Sequence, residues 1–252
     1  MIEFRNVSLS ARKKEILKEV SFRCEKGRIT SIIGRNGAGK TSALKCLIGE
    51  KRYTGEILLE KSDIQTYSIR QRARRISYLS QSLPDTPFTV YELAALGRKP
   101  YHHRMGKLSD IDHQIIQDAL KRTDMFAFSK RRVDSLSGGE KQRAYLAMVL
   151  AQETDVIALD EPATYMDASV EKETFEILKM LSGEMGKTII QVVHNLSRAV
   201  NDSDCIVMMD NGRVISEMEA EEMMKSRLIE EIFAVEKSMI AAPDGKIRAV
   251  YL

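Results

Sequence analysis

Apolar and polar residues alternate through the first two dozen positions, as in Val20, Phe22 and Cys24 set against Ser21 and Arg23. A two-residue period belongs to half-exposed strands, and it predicts an antiparallel β unit from Met1 to about Cys24. The pattern then changes. Ile29-Thr30-Ser31-Ile32-Ile33, Val156 to Leu159 and Thr188 to Val193 are short, nearly continuous apolar runs, which suit strands covered on both faces of a parallel sheet. Between Leu83 and Asp134 the prolines Pro84, Pro87 and Pro100 punctuate the chain, and Ile111, Ile115, Ile116, Ala119 and Leu120 recur at helical spacing. A helix after Gly139 extends this texture, because Ala144, Ala147, Met148 and Ala151 share a face. Near the end, Asp210-Asn211-Gly212 and Pro243-Asp244-Gly245 predict hairpin turns. The reading is an α/β fold: a parallel-sheet core, an N-terminal antiparallel β subdomain and an inserted α-helical subdomain. One domain is expected over 1–252, with the core in 1–83 and 152–252 and the helical insert in 84–151.

Composition narrows the function classes. The 252 residues can bury a large core. Charged residues make up 30% but nearly cancel, to +3, which excludes a polybasic nucleic-acid binder. Spanning a membrane takes about 20 consecutive apolar residues, and runs such as Cys205 to Met209 are strand-sized and flanked by charge. The opening Met-Ile-Glu-Phe-Arg-Asn has no secretory pattern, so a cytosolic chain is expected. Cys24, Cys46 and Cys205 fit no metal or redox spacing and read as buried, reduced thiols.

Three segments carry phosphate chemistry. Gly34-Arg35-Asn36-Gly37-Ala38-Gly39-Lys40-Thr41 fits G-x-x-x-x-G-K-[ST] at every fixed position and follows a buried strand. Its glycines let backbone N–H groups converge on a polyphosphate. Lys40 is expected to reach the β- and γ-phosphates and Thr41 to place its hydroxyl on Mg²⁺, with Ser42 completing the loop at the start of a helix running to Leu47. Val156-Ile157-Ala158-Leu159-Asp160-Glu161 is an apolar strand ending in two carboxylates. A bare carboxylate there is costly unless a cation neutralises it, so Asp160 is read as a Mg²⁺ partner. Glu161 is read as the general base for the water that attacks the γ-phosphate, and Pro162 stops the strand. Third, Leu136-Ser137-Gly138-Gly139-Glu140 opens a helix, with Ser137 and Glu140 spaced as a capping box that exposes helix N–H groups.

These motifs, in this order and over nearly the whole chain, resemble the ATP-binding subunit of ABC transporters, a P-loop NTPase family. The resemblance implies that Ser137, Gly138, Gly139 and Glu140 bind the ATP of a second copy of the chain, in a head-to-tail dimer with two ATP molecules sandwiched between subunits. It implies further roles. Gln81, at the end of a strand-like run, touches Mg²⁺ and the attacking water and links to the helical insert; His194 contacts the γ-phosphate; Asp167 crosses the dimer interface. The family usually stacks adenine on an aromatic residue, where this chain has Leu9-Ser10-Ala11-Arg12-Lys13, so Arg12 is the candidate to stack on the base.

Thr89-Val90-Tyr91-Glu92-Leu93, Gly97-Arg98-Lys99-Pro100-Tyr101 and Ala163-Thr164-Tyr165-Met166-Asp167 are similar to the ATPases of iron-siderophore, haem and cobalamin importers. That branch implies transmembrane permease subunits as direct partners and an extracytoplasmic substrate-binding protein as an indirect one. The chain itself would sit on the cytoplasmic face of the membrane, powering uptake of an iron complex. A soluble ABC ATPase acting on nucleic acid, ribosomes or cofactor assembly is the alternative; the long coil or second ATPase unit such relatives carry has no counterpart here. Other features read as structural: His102, His103 and His113 as exposed side chains, Met218, Met223 and Met224 as the apolar side of a short helix, and Arg70, Arg72, Arg74 and Arg75 as a solvated helix face.

Overall fold

A computed structural model describes residues 1–11, 14–102, 107–162, 168–242, 245 and 247–252. The alternating N-terminal segment forms β1 (Ile2–Ala11) and β2 (Lys14–Cys24), which pair antiparallel. With β4 (Thr54–Leu59) and β5 (Ser62–Asp63) they make a four-stranded antiparallel sheet ordered β2-β1-β4-β5. The continuous apolar runs form the interior of a second sheet. Its order is β10 (Arg213–Glu219), β9 (Cys205–Asp210), β3 (Ile29–Gly34), β8 (Thr188–Val192), β7 (Val156–Asp160) and β6 (Ile76–Leu79). All of these run parallel except β10, which returns antiparallel on β9 through Asn211 and Gly212, both at positive φ as a tight hairpin requires. A separate hairpin, β11 (Lys237–Ala241) with β12 (Ile247–Tyr251), closes the chain. The turn residues Pro243 and Asp244 lie outside the described residues.

Alternation along the buried strands divides the interior into two cores. Ile32, Val156, Ala158, Ile190, Val192, Val207 and Met209 point toward the antiparallel sheet and α1 (Lys40–Leu47), meeting Phe4, Leu17, Val20 and Ile57. Phe4 and Phe22 stack there with centroids 4.2 Å apart. Ile29, Ile33, Ile157, Leu159, Ile189, Ile206 and Met208 point the other way. On that side lie α3 (Val90–Ala95), α4 (Asp110–Arg122), α5 (Gly138–Ala151), α6 (Ala168–Gly183), α7 (Leu196–Asp202), α8 (Ala220–Lys225) and α9 (Leu228–Phe233). The helices of the insert start where their sequences say they should. Thr89 with Glu92, Ser109 with Asp112 and Ser137 with Glu140 each form a reciprocal capping box. Gly97 allows the chain after α3 to press on α5, where a Cβ would stand 2.3 Å from the Met148 carbonyl oxygen.

Of the arginines before β6, Arg74 is exposed, but Arg70, Arg72 and Arg75 are half-buried rather than fully solvated. α2 (Ile69–Ala73) carries Arg70 and Arg72, and their guanidinium groups donate to main-chain carbonyl oxygens of neighbouring segments. Arg70 Nε donates to Pro100 O at 2.7 Å and Arg74 Nε to the same oxygen at 2.9 Å. Arg72 donates to Ile48 O at the end of α1 and to Ile64 O, at 3.2 and 3.0 Å, and Arg75 pairs with Asp155 at 3.2 Å. Buried Arg98 donates to Asp112 Oδ1 at 2.8 Å, to Ala151 O at 2.8 Å and to Glu153 at 2.9 Å, and lies over the Tyr101 ring at 4.2 Å. Burial pushes the Asp112 carboxyl up, but hydrogen bonds from Ser109, Arg98 and His102 overcome it and hold the group well below the ordinary aspartate range. His102 is therefore not simply exposed: its Nε2 is 3.0 Å from Asp112. His113 is exposed but hydrogen-bonded to the Tyr91 hydroxyl, and His103 lies outside the described residues. Met218 belongs to strand β10 rather than to a helix, because the hairpin register continues through it to Ile206. Among the described residues no cluster of metal ligands is present and no helix is long and apolar enough to cross a membrane. Cys24 and Cys46 are buried and Cys205 is half-buried, all three as free thiols.

Candidate nucleotide site

The C-terminal ends of the parallel strands converge on one cleft of about 440 Å³. β3 delivers the glycine-rich loop. Gly34 turns the chain so closely past β9 that a Cβ would stand 2.1 Å from Met209 O, which no other residue can accept. The loop then runs into α1, whose first-turn N–H groups and positive dipole end face the cleft. Asn36, Gly37, Ala38, Gly39, Lys40, Thr41 and Ser42 line it. Arg35 is solvent-exposed and contributes its carbonyl: Lys40 Nζ donates to Gly34 O at 2.7 Å and to Arg35 O at 3.1 Å. Burial lowers the Lys40 pKa, opposed by the charges of Glu161 and Asp160.

β7 places Asp160 beside the loop. Its carboxylate accepts the Thr41 hydroxyl at 2.9 Å on Oδ1 and the Tyr78 hydroxyl at 3.1 Å on Oδ2. Burial raises the Asp160 pKa, the two hydrogen bonds lower it, and the Glu161 charge raises it again. Tyr78 is itself pushed up, by burial first and then by Asp160, and stays a protonated donor. The Thr41 hydroxyl and the Asp160 carboxylate, joined at 2.9 Å, are hard oxygen donors, the kind Mg²⁺ prefers, and the carboxylate is a buried group whose ionised form needs a cation. The residues present fit that ion.

This carboxylate gives a pH-dependent expectation. The folded chain holds the Asp160 proton more tightly than the unfolded chain does, so stability falls as pH rises from the ordinary aspartate range through the raised folded value. Asp160→Asn is expected to raise the melting temperature in metal-free buffer at pH 7 while removing the pH-dependent loss. A lower melting temperature than wild type would mean that the Thr41 and Tyr78 hydrogen bonds outweigh desolvation.

Glu161 directly follows the strand at φ 55°, a left-handed conformation costing about 1–3 kcal/mol for a side-chain-bearing residue. That turn carries its carboxylate away from Asp160 to the mouth of the cleft. Gln81 Nε2 donates to Oε2 at 2.6 Å, and His194 Nε2 lies 2.6 Å from Oε1. The ends of β6, β7 and β8 thus bring Gln81, Glu161 and His194 together although 80 and 33 residues separate the pairs. The arrangement can hold an anion on backbone N–H groups and Lys40, hold a divalent cation on oxygen ligands, and offer a carboxylate as proton acceptor.

Ser137, Gly138, Gly139 and Glu140 do not line this cleft. They form the solvent-facing start of α5, where Glu140 Oε2 accepts the Ser137 N–H at 2.8 Å. The same helix holds the loops beyond the site. Tyr145 Oη donates to Pro84 O at 2.7 Å, Lys141 pairs with Asp85, and Gln142 donates to Pro162 O. These contacts join Pro84 and Asp85, beyond Gln81, and Pro162, beyond Glu161, to α5. Arg12 and Asp167 lie outside the described residues. The motifs gave no hint of Tyr78, nor of Lys14, Ile16, Lys18, Asn211 and Gly212, which line the cleft from two hairpins. Strand parity with Ile76 just ahead of Gln81 is the sequence signal for Tyr78; the hairpin residues carry no local chemical signal.

Residues 17–164 match the model of the family described as ABC transporter. The chain is 36% identical to the petrobactin import ATP-binding protein FpuD of Bacillus anthracis over 96% of its length and 89% of that relative. It is 35% identical to the iron(3+)-hydroxamate import ATP-binding protein FhuC of Bacillus subtilis, over 90% of this chain and 86% of that one. Among experimental structures, the dimeric post-hydrolysis ATP-binding cassette MJ0796 with ADP and Pi superposes with a TM-score of 0.76 at 25% identity, covering 87% of this chain and 99% of that one.

Proposed function

From the premise that this chain belongs to the ABC transporter family, we propose how its site does the work of an ATP-binding, ATP-hydrolysing importer subunit that energises uptake of an iron complex. The observation that carries the reading is the junction at the cleft: Thr41 on Asp160 behind the phosphate loop, and Glu161 held between Gln81 and His194 at its mouth. Loop N–H groups and Lys40 hold the β- and γ-phosphates. Thr41, Asp160 and Gln81 would hold Mg²⁺, which when bound neutralises phosphate charge. Glu161 accepts the proton of the attacking water, and His194 fixes the Glu161 carboxylate and contacts the γ-phosphate. Arg12 is proposed to cover the base.

A second copy of the chain presents Ser137, Gly138, Gly139 and Glu140 to the same phosphates, with Asp167 at the shared interface. Residues 84–151 act as the moving unit, and α5 passes the closure to transmembrane permease subunits, which receive the iron complex from an extracytoplasmic substrate-binding protein. The subunit then works on the cytoplasmic face of the cell membrane. Its relatives named above are import ATP-binding proteins for petrobactin and iron(3+)-hydroxamate, which supports a ferric siderophore over haem or cobalamin. The test is reconstitution with the permease that co-purifies with the chain from native membranes: ATP-dependent uptake of a ferric siderophore is expected, and selective uptake of haem or cobalamin instead would overturn the substrate class.

A further inference from the structure

Tyr78 and Asp160 stand on the same face of adjacent parallel strands. Tyr78 pairs with Ala158, and Ile76, Val156 and Ala158 all pack into the core beneath α1, so two-residue alternation puts Asp160 diagonally ahead of Tyr78. Diagonal neighbours are about 7–8 Å apart, a gap that a long aromatic side chain can cross. The phenol crosses it and ends 3.1 Å from Asp160 Oδ2, while Thr41 occupies Oδ1 at 2.9 Å. Each carboxylate oxygen therefore has one fixed donor and one remaining lone-pair direction. An aliphatic residue could fill the space beside α1; a hydroxyl there carries a desolvation cost unless it is used.

We propose that Tyr78 is a positioning residue for cation-assisted nucleotide binding: its hydroxyl fixes the rotation of the Asp160 carboxylate, so that the lone pairs facing the cleft are aimed before metal and nucleotide arrive. The inference rests on the reading of Thr41 and Asp160 as Mg²⁺ ligands. Thr41 supplies an oxygen to the cation as well as a proton to Asp160. Tyr78 serves only the carboxylate, so its loss separates aiming from ligation.

The experiment uses the full chain, a fluorescent ATP analogue and Tyr78→Phe. Affinity is measured in EDTA and at graded Mg²⁺, and Mn²⁺ binding in the presence of ADP is followed by electron paramagnetic resonance. Tyr78→Phe is expected to match wild type in EDTA, yet to need about tenfold more Mg²⁺ or Mn²⁺, the effect of losing one hydrogen bond to a charged group. An unchanged metal requirement overturns the proposal. So does an equal loss with and without metal, which would mark a packing role. Tyr78→Met repeats the comparison should phenylalanine fail to fold. A wild-type chain whose affinity gains nothing from Mg²⁺ would remove the metal reading of Thr41 and Asp160 and the proposal with it, whereas a responsive wild type matched by Tyr78→Phe removes Tyr78 alone.

Discussion

Glu161→Gln is expected to lower ATP turnover by about 10²–10⁴-fold, the range for loss of a general base, while nucleotide affinity stays near wild type. The amide keeps the length and shape of the carboxylate and can still meet Gln81 or His194, but it cannot accept the proton of the attacking water. Binding depends on the loop N–H groups, Lys40 and Thr41, none of which the change touches. ATP should therefore accumulate unhydrolysed and hold subunits together. Phosphate release gives the rate, and size-exclusion chromatography with and without ATP gives the oligomer. Wild-type turnover in this variant would remove Glu161 from the role of base, and loss of binding would mean that the Gln81–Glu161–His194 contacts shape the cleft itself.

The parts of this site that could be read in advance are those whose cause is local. The phosphate loop is contiguous, the buried runs of β3, β7 and β8 declare themselves by apolar continuity, and the Ser137 and Glu140 capping box needs only a spacing of three residues. What stayed hidden depends on distant backbone. Arg70, Arg72 and Arg74 look like charges for water until the carbonyls of Ile48, Ile64 and Pro100 arrive beside them. Ile16 and Asn211 reach the cleft only because two hairpins fold over the loop, with Lys18 N–H donating to Gly212 O at 2.8 Å. Tyr78 sits between these cases: strand parity places it on the correct face, but only the parallel register of β6 on β7 makes Asp160 its partner. Met218 follows the same logic, since three nearby methionines look helical until the β9–β10 pairing claims one of them.

Complementation between two inactive variants is the strongest test of the dimer. Lys40→Ala is expected to abolish productive ATP binding at its own loop, and Ser137→Arg to fill the α5 start with a bulky side chain that blocks the partner's phosphates. Each homodimer has no intact composite site, so each variant alone should show almost no turnover. In a mixed dimer, the intact loop of the Ser137→Arg subunit faces the intact α5 start of the Lys40→Ala subunit. With equal amounts and random pairing of a twofold dimer, about a quarter of all sites are whole, and up to about a quarter of wild-type turnover should return. If both half-sites served one chain, every subunit in the mixture would remain defective and mixing would restore nothing. Ser137 to Glu140 are not among the residues that line the cleft with Lys40 and Thr41, and the mixture asks whether a second chain brings them there. Recovery that rises with the square of protein concentration at high dilution, as dimers form from scarce subunits, would tie the restored activity to the encounter of two chains.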